Sequence, residues 1–190
     1  MIDAPNAIIV MVFVLSFAAI SAIFALSFAA LFRDDFEFFP PPSNDSWQHG
    51  AFRGLFRLYL YPLIVLSALV FEPESGPRAL VQYGIGALML VLGFGFAFLI
   101  TAQMGWRNAF GEKLGLKTDG WFRWSRNPVY VATWIGLIGW GLIAAQILVV
   151  ILLLFWGLMY VLAPIFEEPW LERAYGDDYL AYKKRTRRFF

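Results

Sequence analysis

Ser125-Arg126-Asn127-Pro128-Val129-Tyr130 opens an apolar run that continues without a charge to Phe166 and closes on Glu167-Glu168-Pro169-Trp170. The uncharged part, Val129–Phe166, is 38 residues long. One membrane span takes about 20 residues, so this run is too long for one crossing and about right for two. Its turn falls near Ala144-Ala145-Gln146, which predicts a tight helical hairpin. A hairpin returns the chain to the membrane surface it left. Arg126, Asn127 and Tyr130 at its start therefore lie near Glu167 and Glu168 at its end, and Pro128 suits the first turn of the helix between them. Charges that flank a span usually act as stop signals. Two adjacent carboxylates facing a guanidinium, an amide and a phenol read instead as a functional cluster, because ionisable groups at membrane depth are costly and seldom idle. Such a cluster suits a polar, cationic small molecule presented to something in the lipid.

The rest of the chain agrees with a membrane setting. Of 190 residues, 60% are hydrophobic and only 15% charged, which excludes an ordinary soluble domain. A net charge of +1 implies no bulk attraction to nucleic acid. There is no cysteine, so disulfides, cysteine-ligated metals and cysteine nucleophiles are excluded, and one histidine, His49, argues against a transition-metal site. His49 reads as incidental in a polar loop. Ala7–Phe32 is uncharged and as a helix measures about 39 Å, enough to cross with some tilt. It reads as a retained span rather than a signal peptide. Arg33-Asp34-Asp35 stops it, and Phe36–Gly50, with Pro40-Pro41-Pro42, reads as a loop. Leu58–Phe71 is a second span, preceded by Arg53 and Arg57 on one helix face, from which they snorkel to head groups. Ala79–Ala102 is a third, carrying Gly93-Phe94-Gly95. Gln103–Arg126 is polar, and the hairpin completes five spans.

The expected architecture is thus an all-α polytopic membrane protein in one domain, with five transmembrane helices, a C-terminal hairpin and a cytoplasmic C-terminal tail. Placing the N-terminus outside puts 14 of the 15 lysines and arginines on the inner face, with only Arg78 outside. That orientation discounts the Asn44-Asp45-Ser46 sequon and suits a bacterial inner membrane or an ER-type membrane. Residues 1–78 form two spans for substrate access, and residues 79–190 the core. The basic tail meets anionic lipid through Lys183 and Lys184, while Arg185, Arg187 and Arg188 suit either that role or contact with a bound small molecule or a lipid phosphate.

Arg126-Asn127-Pro128-Val129-Tyr130, the hairpin, Glu167-Glu168-Pro169-Trp170-Leu171-Glu172-Arg173-Ala174-Tyr175-Gly176-Asp177-Asp178-Tyr179-Leu180-Ala181-Tyr182 and the closing Thr186-Arg187-Arg188-Phe189-Phe190 resemble the membrane methyltransferases. These comprise the isoprenylcysteine carboxyl methyltransferases and the phospholipid N-methyltransferases. The resemblance covers roughly residues 80–190. The isoprenylcysteine branch has His at the place of Asn127 and Gly at that of Ala132. The phosphatidylethanolamine N-methyltransferases are similar in Asn-Pro-x-Tyr, Glu-Glu-Pro and a Gly-x-Gly on the preceding span, while the tail after Glu168 looks more like the isoprenylcysteine side.

The resemblance implies S-adenosylmethionine (SAM) as cofactor and methyl transfer to a lipid-like or amphipathic acceptor, foremost a phospholipid head-group amine. A carboxyl or thiol acceptor of the isoprenylcysteine type is the alternative. It implies cofactor contacts at Gly93, Gly95, Arg126, Asn127, Tyr130, Glu167, Glu168, Tyr179, Tyr182 and Arg188, with Glu167, Glu168 and Arg126 closest to the chemistry; Gly93 and Gly95 read equally as helix-packing glycines, and Tyr179 and Tyr182 as interfacial belt residues. The residue types suit that donor: carboxylates favour its sulfonium and ammonium, and an arginine favours its carboxylate. Methyl transfer needs alignment and exclusion of water rather than a triad or a metal, and an amine acceptor needs a base such as Glu167 or Glu168. Two other classes stay open. Membrane sterol reductases share a Tyr-after-Pro motif but use NADPH, whose phosphates call for more basic residues in the pocket. A non-catalytic membrane binder would keep the fold without the reaction.

Overall fold

The computed structural model describes residues 4–33, 35–43, 45–105, 108 and 115–190. Asn44 of the sequon, Asp34, Arg107 and Lys113 lie outside the described residues. Within them the chain is helical: α1 is Ala4–Leu31, α2 Trp47–Leu69, α3 Pro77–Met104, α4 Pro128–Ala144 and α5 Ile147–Arg185, with a short 3-10 turn at Gly120–Arg123. Four of these, α1, α2, α3 and α5, are long and apolar enough to cross a membrane. The fifth, α4, is equally apolar but has 17 residues, about 25 Å of helix, at the short end of what spans. Large apolar side chains such as Leu80, Leu88, Val91 and Leu154 face outward, a pattern that suits hydrocarbon as the surrounding solvent.

Helices pair as α1 with α2 and α3 with α4, and α5 closes the bundle against α1, α2 and α4. Ile20, Tyr59, Leu63, Leu66, Val149 and Leu152 are fully buried where α1, α2 and α5 meet. Polar side chains stitch this core to main-chain carbonyls. Ser16 Oγ donates to Tyr59 O at 2.7 Å, Tyr59 Oη to Leu152 O at 3.0 Å, and Trp134 Nε1 to Gly157 O at 3.0 Å. In a bilayer each such bond contributes about 0.6–2 kcal/mol.

The hairpin turn sits where the sequence puts it. Ala145 adopts φ 49° and its N–H donates to Gly141 O at 2.9 Å, ending α4 in a left-handed cap. Pro128 is in the first turn of α4, as expected. The start of α2 differs from the expected loop through Gly50. Ser46 caps it, its Oγ accepting from His49 N at 3.2 Å, so the helix begins at Trp47 and His49 is helical and buried.

The largest departure from the expected layout is inside α5. Gly176 takes φ 52° and ψ −129°, a conformation that glycine alone adopts readily, and the helix breaks there. Lys183 Nζ then lies 2.7 Å from Glu172 Oε1. Eleven residues of unbroken helix would separate those backbones by about 16 Å. Gly176 therefore turns the last segment back against the end of the apolar span.

Candidate active site

Tyr130 sits in the first turn of α4 and Glu167 where the apolar part of α5 ends, so the hairpin brings them level. Tyr130 Oη donates to Glu167 Oε1 at 2.6 Å, the short length of a bond to a carboxylate. The Tyr130 ring lies against Tyr160, with centroids 4.4 Å apart. Tyr160 is two helical turns before Glu167 and therefore on the same face of α5. Glu167 thus sits in an aromatic surround.

Glu168, one residue on and about 100° around the helix, meets cations. Its carboxylate takes Arg126 Nη2 at 2.8 Å, Arg188 through Nε at 2.9 Å and Nη2 at 2.8 Å, and Lys183 Nζ at 3.2 Å. With 5% of its surface exposed, Glu168 is the buried end of this cluster. The two-pronged bond to Glu168 holds the Arg188 guanidinium above its ordinary range.

The same contacts staple the tail to the start of α4. Arg126 Nη1 donates to Lys183 O at 2.9 Å and to Thr186 O at 3.2 Å, and its backbone N–H to Arg187 O at 2.8 Å. Asn127 Nδ2 and Ser125 Oγ both donate to Arg188 O, at 3.0 and 3.2 Å. Phe189 packs on Trp134 at 4.9 Å between centroids. Arg126 Nε is buried and has no hydrogen-bond partner among the described residues.

A cavity of about 400 Å³ lies between these elements, within the range of small-ligand sites. Arg126, Asn127, Tyr130, Glu167, Glu168, Tyr179 and Tyr182 all line it, so seven of the ten residues singled out in the sequence share one chamber. Tyr182 Oη is tied to Phe122 O at 2.7 Å. The other three residues do not line it. Gly93 is buried against α4, where an added Cβ would run into the backbone of Gly136; Gly139 stands in the same relation to Leu90. Its smallness serves close helix approach. Gly95 is exposed and a Cβ there would meet nothing within 4 Å. Arg188 reaches the site through Glu168 rather than through the chamber wall.

The chamber also includes residues that the sequence reading passed over. Tyr160 and Trp170 come from α5, Phe122 from the 3-10 turn, and His49, Phe52, Arg53 and Phe56 from α2. Helical spacing from Glu167 picks out Tyr160, and the Ser46 cap would have placed His49 on a helix. Nothing local marks the α2 residues, because their part in the wall depends on how α2 packs. Apolar side chains, among them Ile23, Phe24 and Met159, complete the lining.

The sequence model of the phospholipid methyltransferase family matches residues 81–178. The chain belongs to the phospholipid methyltransferase family. The matched segment runs from the first turns of α3 past the break at Gly176 and contains Arg126, Asn127, Tyr130, Glu167 and Glu168. In this family member α1, α2 and the stapled tail lie outside the match, yet they supply the opposite wall and the Arg188 contacts. Its apolar helices and its family together make it a multi-pass membrane protein of methyltransferase type. No curated protein and no solved structure matches the chain.

Proposed function

We propose that this protein uses SAM to methylate the head-group amine of a membrane phospholipid. The observation that carries the reading is the 2.6 Å contact between the Tyr130 phenol and the Glu167 carboxylate on the wall of a chamber lined by both polar and apolar side chains. When bound, SAM supplies an electrophilic methyl group on a sulfonium centre.

The residues present fit that donor. Arg126 Nε is a buried donor with no partner among the described residues, suited to the carboxylate of an amino acid moiety. Glu167 and the ring of Trp170 suit a cationic centre, and Tyr179 and Tyr182 add aromatic surface for a flat base. Glu168 is saturated by Arg126, Arg188 and Lys183, and its part is to hold Arg126 in place. Glu167 is the carboxylate that takes the proton an ammonium acceptor must lose, and Tyr130 fixes its orientation. Ile23, Phe24 and Met159 exclude water and make room for hydrocarbon.

In this reading residues 1–78 shape the acceptor's access, the N-terminus is outside and the C-terminus cytoplasmic. Exposed Lys184, Arg185 and Arg187 then meet anionic lipid. The test is incubation of the protein in lipid nanodiscs with methyl-labelled SAM and a total membrane lipid extract. Label is expected in N-methylated amino phospholipids. Label confined to carboxyl esters or thioethers would overturn the amine reading.

A further inference from the structure

The chamber holds two cations that its own carboxylates do not use. Arg53 on α2 and Lys117, just before the 3-10 turn, both line it, and neither has an ion-pair or hydrogen-bond partner among the described residues. Arg126 is bound to Glu168, which Arg188 and Lys183 already neutralise from outside the chamber. Among the described lining residues, what remains is one carboxylate without a cation, Glu167, and two cations without an anion. An arginine at a membrane surface ordinarily reaches outward to the head groups. Arg57, one turn further along α2, does not line the chamber, whereas Arg53 does.

A phosphodiester is the anion whose chemistry answers a guanidinium and an ammonium together. In an amino phospholipid the phosphate lies two carbons from the nitrogen, and the glycerol carries the hydrocarbon beyond it. We infer that Arg53 and Lys117 form an anion subsite that takes the phosphodiester of the acceptor lipid while Glu167 faces its amine. The inference rests on the amine-methylation reading above and adds the feature that selects the acceptor. An amine with no neighbouring phosphate gains nothing from this subsite, nor does a prenylated carboxylate.

The test compares two acceptors in detergent micelles: dioleoyl phosphatidylethanolamine and oleylamine, which has the amine and chain but no phosphate. The measured quantity is the ratio of their kcat/KM values. Both cations are exposed, so replacing them spares the core. In the double variant Arg53→Gln, Lys117→Gln the ratio is expected to fall about tenfold or more, the effect of losing bonds to a charged group. Arg57→Gln removes the same charge from the same helix and is expected to leave the ratio unchanged. A ratio in the double variant within about twofold of the parent overturns the subsite.

Native mass spectrometry of donor-free protein in micelles of phosphatidylethanolamine and diacylglycerol judges the subsite separately. The parent is expected to retain the phospholipid preferentially, and the double variant to lose that preference. If the parent methylates neither amine, the amine reading fails, and this binding comparison alone decides: a preference lost in the variant supports the subsite, a preference kept overturns it.

Discussion

Glu167 and Glu168 are neighbours in the chain and opposites in surroundings. Glu167 meets the Tyr130 phenol, whose ring lies against Tyr160; Glu168 meets two guanidiniums and an ammonium. The helix accounts for the divergence, since one residue of rotation carries a side chain about 100° around the axis. Charge pairing then separates the roles. Glu168 is committed to structure, joining the start of α4, the end of α5 and the tail. Glu167 has one neutral donor and a chamber to face, which leaves it available for chemistry. In the proposed reaction one carboxylate of the pair braces the fold and the other takes the proton.

The comparison breaks first if Glu168 is not a brace. Glu168→Ala leaves the Arg126 guanidinium, only 9% exposed, without its carboxylate. Removing one partner of such a buried pair costs about 3–5 kcal/mol. The Arg188 and Lys183 contacts are 40% and 36% exposed on the cation side and, being screened, contribute little of that. A thermal unfolding midpoint well below that of the parent is expected, with loss of methyl transfer. An unchanged midpoint would place the brace elsewhere.

Glu167→Gln probes the other half. The amide keeps the size and an acceptor for Tyr130 but takes up no proton. The unfolding midpoint is expected to hold while kcat falls by about 100-fold or more, the usual share of a general base. A large fall in the midpoint would erase the distinction between the two carboxylates.

Gly176→Ala tests what brings the cations to Glu168. A Cβ at φ 52° is strained by about 1–3 kcal/mol even though nothing crowds it. Limited proteolysis is expected to cut the residues after Gly176 faster than in the parent. Equal cutting rates would mean that the fold-back does not depend on glycine.

Tyr130→Phe should have the smallest effect. It removes only the 2.6 Å bond that orients Glu167. A fall in kcat of about tenfold with little change in KM is expected from the loss of one bond to a charged group. A change in KM alone would assign Tyr130 to binding.

Several of these features were readable in advance. Hydropathy runs are long-range and coarse, so the five apolar helices and the turn at Ala145 follow from residue type alone. The approach of Arg126 and Tyr130 to the two glutamates follows from the hairpin, because a chain that crosses twice must return to its starting surface. His49 was misplaced because the cap at Ser46 is a single hydroxyl in a polar, proline-rich stretch.

The sequence by itself determined a membrane protein with a polar cluster where a hairpin begins and ends. It did so because the cost of placing charge in hydrocarbon is large and depends only on residue type. Tertiary structure decided which carboxylate is neutralised, that Gly93 packs on Gly136 instead of lining the chamber, and that Arg53 is among the residues lining it. Those outcomes depend on helix rotation and on the single bend at Gly176. A helix apolar on all sides carries no mark of which face will meet its neighbour.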